Sequence, residues 1–243
     1  MRLHTIATGS HGNCYVLDNG ENKLILDCGQ NVKWNDVLLG IGWDITSVDA
    51  CLFTHKHLDH LGHVSEMDKS GISMYGCNEL HDFDNRVIGI GDGHLIKICH
   101  AWRVLPWYVP HTGNGCEAVP CFAYYIETWD RQFRMVYITD FLYSPLTFRN
   151  LKCNTILIAC NHDDVIEDVV QEKYRHIVSG HSSLSTVNDI IDINKTDQLR
   201  NVILCHMSDE NATPEIMYAT IKETVGYAVE VNIACRGLTI NLN

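Results

Sequence analysis

The sequence predicts an α/β protein built from two packed β-sheets flanked by helices. Three observations lead there. Short apolar strands gather in each half of the chain, helical segments separate them, and a dense histidine loop follows a buried strand in the first half. No linker or low-complexity tract interrupts the 243 residues, so one domain spanning 1–243 is the simplest reading.

In chain order, Leu3 to Ala7, Cys14 to Leu17 and Lys23 to Leu26 read as strands, and Asp18-Asn19-Gly20 supplies a hairpin turn. Val32 to Leu39 reads as a helix stopped by Gly40. Ala50-Cys51-Leu52-Phe53 is then a buried strand whose end delivers the histidine loop. Asn78 to Tyr108, with few basic residues, is where a substrate lid would lie. In the second half, Phe122 to Ile126 and Met135 to Ile138 read as strands around a polar turn at Asp130. Thr155 to Cys160 and Val202 to Cys205 are further strands. Asp163 to Tyr174, Ser183 to Ile191 and Pro214 to Val225 read as helices.

Composition narrows the function classes. A hydrophobic share of 46% with 20% charged residues fits a globular enzyme rather than a disordered chain. No apolar run approaches the roughly 20 residues of a membrane helix, and the first residues lack the apolar core of a signal peptide. Eleven cysteines, odd in number and without a Cys-x-x-Cys pair, read as small buried hydrophobes in a reducing, cytoplasmic setting. The net charge of −12 argues against broad capture of nucleic-acid backbone, although bound divalent ions would make a site locally positive.

Fourteen histidines direct attention to Thr54-His55-Lys56-His57-Leu58-Asp59-His60. His55 and His57 alternate, so on an extended strand end they point the same way. Asp59 and His60 follow as the chain turns into a helix. Two imidazoles on one metal, with a carboxylate and an imidazole on another, suit a pair of borderline cations such as Zn²⁺. The bland reading, a solvated loop, leaves three histidines and an aspartate within six residues without a task.

His-x-His-x-Asp-His after a buried strand resembles the signature of the metallo-β-lactamase superfamily, and Asp27-Cys28-Gly29 fits its first motif. Gly9-Ser10-His11-Gly12-Asn13, Val109-Pro110-His111, Ile138-Thr139-Asp140, Asn161-His162-Asp163, Ser179-Gly180-His181-Ser182 and Cys205-His206-Met207-Ser208 fall in the family's order. The pattern is similar to the single-domain YycJ/WalJ-like branch of bacterial and phage members, beside the tRNase Z-type nucleases and phosphodiesterases.

The resemblance implies a four-layer αββα sandwich and a two-metal site. His55, His57 and His111 would hold one ion, Asp59, His60 and His206 the second, and Asp140 would bridge them. The ions would be Zn²⁺, with Mn²⁺ as the other option, and would activate a water near neutral pH and polarise a phosphoryl oxygen. Asp59 would accept the water's proton and His181 would give one to the departing oxygen. Two readings stand for Asp27: orienting a ligand or the loop backbone, or an ordinary turn aspartate. Two stand for His181: this acid role, or a solvent-facing side chain beside a helix-capping Ser182 or Ser183. His162 and Asp163 would flank the site. His63 could face it without being a family ligand, and His4, His81, His94, His100 and His176 are taken as structural.

One departure stands out. Relatives carry a glutamate two positions before the asparagine of Asn161-His162-Asp163, where this chain has Ala159. The resemblance therefore implies a phosphodiesterase acting on nucleic acid (single-stranded DNA or RNA, exo- or endonuclease) or on a nucleotide. Asp140 in place of a bridging cysteine, together with His181, argues against a β-lactamase. Three alternatives stay open: a cyclic-nucleotide phosphodiesterase of the phage anti-defence type, a glyoxalase II-like thioesterase, and a binding protein impaired at Ala159. A homodimer is also left open; a membrane partner is not expected.

Overall fold

The strand runs of the sequence assemble into two seven-stranded sheets in a computed structural model that describes residues 1–113, 117–165 and 180–242. The first sheet contains β1 (Arg2–Ala7), β2 (Cys14–Asp18), β3 (Lys23–Leu26), β4 (Val48–Leu52), β5 (Ser73–Cys77), β6 (Val87–Ile90) and β14 (Thr239–Asn241), in the order β14-β1-β2-β3-β4-β5-β6. The second contains β7 (Ile96–Ile98), β8 (Trp102–Val109), β9 (Cys121–Thr128), β10 (Arg134–Ile138), β11 (Thr155–Ala159), β12 (Asn201–Cys205) and β13 (Glu230–Ile233), ordered β13-β12-β11-β10-β9-β8-β7. Helices α1 (Trp34–Gly40), α2 (Val64–Lys69), α3 (Asn78–Phe83), α4 (Leu184–Asn194) and α5 (Pro214–Val225) accompany them.

Each sheet is antiparallel on one side and parallel on the other. Strands β3 to β6 run parallel in the first, and β10 to β13 in the second. Parallel strands covered on both faces need continuous apolar runs, and β3, β11 and β12 are buried at every residue. The sheets meet in one core, where Tyr15 packs edge-on against Tyr137 and Tyr124 donates a 2.6 Å hydrogen bond to the Phe53 carbonyl. This geometry brings the C-terminal ends of several parallel strands to one edge, where ligands bind in open α/β sheets.

Several boundaries depart from the sequence reading. Helix α1 starts at Trp34 rather than Val32, because Val32 is spent closing a turn onto the Gly29 carbonyl. The histidine loop does not run into a helix at Asp59: His60 and Leu61 both donate to the His57 carbonyl, and α2 begins only at Val64. Asn78 to Tyr108 is not a lid. It forms α3, both sheet edges (β6 and β7) and most of β8, all paired into the sandwich. The predicted helix from Asp163 to Tyr174 lies outside the described residues from 166 onward, and 163–165 are not helical. Among the described residues no helix is long and apolar enough to cross a membrane.

Candidate metal centre

The loops after β3 and β4 are built as a pair. Asp27 N donates to the Leu52 carbonyl and Cys28 N to the His60 carbonyl. The Asp59 backbone passes so close that a Cβ on Gly29 would meet its carbonyl oxygen at 2.3 Å, which explains glycine after Asp27-Cys28. The other contributors follow β8 (His111), β10 (Asp140) and β12 (His206), with His181 just before α4.

Two groups of donor atoms result. His55, His57, His111 and Asp140 form one, and Asp59, His60, His206 and Asp140 the other, with the donor atoms of each group all within 4.8 Å of one another. Asp140 belongs to both. His111 Nε2 lies 3.0 Å from His57 Nδ1, and His55 Nε2 lies 3.4 Å from Asp140 Oδ2. His60 Nε2 lies 2.9 Å from Asp140 Oδ2 and 3.3 Å from Asp59 Oδ2, while His206 Nε2 lies 3.2 Å from Asp59 Oδ2 and 3.3 Å from Asp140 Oδ1. Ligands on a tetrahedral ion with bonds of about 2.0–2.1 Å sit roughly 3.3 Å apart, so the donor spacing fits cations. His55 Nε2 and Asp140 Oδ2 are buried with no hydrogen-bond partner, an arrangement a cation would satisfy.

The outer faces of the imidazoles are tied down. His60 Nδ1 donates to Asp27 Oδ2 at 2.8 Å. Thr54 Oγ1 bonds to the same carboxylate and receives His55 Nδ1 at 3.0 Å. Tyr137 donates to Asp27 Oδ2 at 2.6 Å from the opposite sheet. One fully buried carboxylate thus orients two imidazoles and, through Thr54 N, the loop backbone. His111 Nδ1 donates to the Gly180 carbonyl at 2.7 Å. Asn13 clamps Gly9 through both amide atoms and sits 3.1 Å from His60 Nε2.

Electrostatics divides the histidines. Burial holds His55 well below its ordinary value, with the neighbouring charges on His60 and His111 adding to the effect. Burial likewise lowers His57, and takes His111 down to about 4. These three stay neutral and keep lone pairs for a cation. Burial also opposes charge on His60 and His206, but the surrounding carboxylates Asp59 and Asp140 outweigh it and raise both. Asp140, despite burial, is held well below the usual carboxylate range by His206, His60 and His181. A cation entering the second group would therefore displace protons.

His181 is 14% exposed at its side chain, and its Nδ1 lies 3.0 Å from Asp140 Oδ1. It faces the cluster rather than bulk solvent, while Ser183 caps α4 by accepting from Thr186 N. Asn161 and Asp163 brace the segment after β12: Ser208 N donates to the Asn161 carbonyl and Thr213 Oγ1 to Asp163. His162 Nδ1 donates to the Asp163 carbonyl. His63 turns away to the Val32 carbonyl and stacks on Trp34. His4, His81, His94 and His100 make contacts elsewhere, and His176 lies outside the described residues. Ala159 is buried at the end of β11, its carbonyl accepting from Ser182 Oγ at 2.8 Å. Sequence reasoning gave no role to Thr54 or Tyr137. Thr54 stood inside the histidine motif and was the available signal, whereas Tyr137 reads as ordinary core.

Comparison with known proteins agrees with this arrangement. Residues 7–82 match the family described as the metallo-beta-lactamase superfamily. The chain is 23% identical over 242 residues to the exodeoxyribonuclease WalJ of Streptococcus pneumoniae, covering 94% of this chain and 89% of that one. It is 24% identical to the exodeoxyribonuclease YycJ of Bacillus anthracis, covering 96% and 95%. Among solved structures, the metallo-beta-lactamase fold protein YhfI from Bacillus subtilis superposes with a TM-score of 0.74 at 17% identity, over 98% of both chains, a likeness of fold. The chain is a metal-dependent hydrolase of the metallo-β-lactamase superfamily.

Proposed function

We propose that the chain is a dinuclear phosphodiesterase that cleaves nucleic acid, with single-stranded DNA as its first candidate substrate. The observation that carries this reading is the pair of four-residue donor groups sharing Asp140. In it, His55, His57 and His111 hold one divalent cation, Asp59, His60 and His206 hold the other, and Asp140 serves both. Zn²⁺ suits the imidazole-rich set, with Mn²⁺ as the alternative. Bound cations supply an activated water near neutral pH and neutralise charge at a phosphoryl oxygen. The choice of nucleic acid is supported by relatives that span nearly the whole chain and are named as exodeoxyribonucleases.

The chain's own residues divide the remaining work. Asp59 has a side chain 22% exposed, the more open of the two carboxylates, and accepts a proton from the attacking water. His181, steadied by Asp140 at the rim, delivers a proton to the departing oxygen. The Asp27–Thr54–Tyr137 network keeps His55 and His60 in the tautomer that presents Nε2 to the cation. A reducing, cytoplasmic setting suits the buried free thiols.

Ala159 favours a second reading, a metal-binding protein with weak turnover, because it places no carboxylate behind His181. One experiment separates the two. Metal analysis is paired with assays on bis-p-nitrophenyl phosphate and on single-stranded DNA, RNA and cyclic nucleotides. The expected result is two ions per chain and cleavage of DNA, lost on chelation and restored by Zn²⁺ or Mn²⁺. Two ions without any cleavage would establish the binding protein, and cleavage confined to cyclic nucleotides would replace the nuclease reading.

A further inference from the structure

Beside the donor cluster lies a groove of about 220 Å³ that the chemistry above does not use. Its floor is apolar, from Ile6, Ala7 and Val32, and its rim carries His11, Lys33 and Arg236. Both walls are bonded to the histidine loop. Asn13 N, just past the first wall, donates to the Asp59 carbonyl at 2.7 Å, and Gln30 N, just before the second, to the Leu58 carbonyl at 2.6 Å. At the inner end, Thr8 Oγ1 accepts from His206 N at 3.0 Å. The groove therefore opens from the Asp59–His60–His206 side of the cluster, where Asp59 is the partly exposed donor.

The charges on this rim run against the chain as a whole. The protein carries a net −12, yet the groove's lining holds two permanent cations and one carboxylate, Asp36. Asp36 is engaged by Arg236 Nη2, which fixes one edge of the guanidinium and leaves its other N–H groups for a second acceptor. Lys33 is exposed and makes no ion pair among the described residues. A positive groove continuous with a phosphodiester-cleaving cluster has the form of a backbone track for a single strand.

We infer that this groove is a subsite for a second phosphate of the substrate strand, bound by Lys33 and Arg236 next to the phosphodiester undergoing cleavage. The inference rests on the phosphodiesterase reading and names its substrate class more narrowly: a polyanionic strand rather than an isolated phosphodiester. Thr8 and His11 stand between the cluster and the two cations, and offer hydroxyl and imidazole hydrogen bonds along the path. The apolar floor suits the sugar edge of the same nucleotide.

The test compares two substrates in the metal-loaded protein, bis-p-nitrophenyl phosphate and a labelled ten-nucleotide DNA strand, with an RNA strand of equal length as a parallel arm. Each exposed ion pair is worth about 1.5- to 5-fold, so the double variant Lys33→Ala/Arg236→Ala should raise KM for the strand by roughly tenfold. The rise should far exceed any change with bis-p-nitrophenyl phosphate, which has one phosphodiester and cannot span both places. The salt dependence of strand binding, followed by fluorescence anisotropy, should flatten by a slope of roughly 0.7 for each cation removed from the strand's phosphates, and Lys33→Arg should retain it. An unchanged strand KM, or equal losses on both substrates, overturns the subsite while leaving the phosphodiesterase standing. If neither substrate is cleaved, the phosphodiesterase reading falls. The anisotropy data then decide the groove alone, and equal strand affinity in wild type and double variant overturns it.

Discussion

The first sheet contributes four donor-cluster side chains from six consecutive residues, His55 to His60, whereas the second contributes His111, Asp140, His181 and His206 from four separate segments. The two regions are also stiffened differently. The loop of the first sheet is organised by a buried carboxylate, Asp27, reached by Thr54, His60 and Tyr137. Around the second sheet, His111 is aimed by the Gly180 carbonyl, while Asp140 and His206 leave their strands in left-handed backbone. A compact loop can share one orienting group; dispersed strand ends each need their own.

The comparison can be broken most decisively at Asp140, where the two donor groups meet. Asp140→Ala should cost both ions much of their affinity and lower phosphodiester turnover by roughly 10³-fold or more, as expected when a group acting on developing charge is removed. Elemental analysis with bis-p-nitrophenyl phosphate kinetics checks this, and two ions retained at full occupancy would sink the shared role. Asp27→Asn tests the loop side. Removing the carboxylate that fixes His55 and His60 should weaken metal affinity by about 10–100-fold without emptying the site. Competition with a chelator measures it, and wild-type affinity would show that the loop needs no anchor.

The smallest effect is expected at Ala159. Ala159→Glu adds a long side chain to a buried strand end, so chemical denaturation should register a loss of about 1–3 kcal/mol. Turnover should rise only several-fold if the carboxylate supports His181. No gain would mean that the position lies outside the acid system of this chain.

Legibility followed the same division. The histidine loop stood out because its donors are adjacent, and the strand before it was plain from its apolar run. Asp140 and His206 each follow an apolar strand with nothing local to mark them, so family order alone singled them out. Tyr137 sits in Met135-Val136-Tyr137-Ile138, where a phenol reaching across to Asp27 looks like any core aromatic. The edge strands β6, β7, β13 and β14 have only three or four residues, too few for alternation to register. Within Asn78 to Tyr108 those short edges leave Phe83, Ile88 and Leu95 exposed, so the segment carries no clear inward face in its sequence.

Asp27, Asp140 and His206 each adopt a positive φ, of 54°, 45° and 51°, directly after or within two residues of a strand. Such backbone costs about 1–3 kcal/mol per non-glycine residue. A glycine at any of the three would suit the chain's conformation better than the residue present. The fold has kept the side chains against its own conformational preference, so thermal screening of unselected variants should drift toward glycine there, gaining melting temperature as it loses the capacity to hold metal.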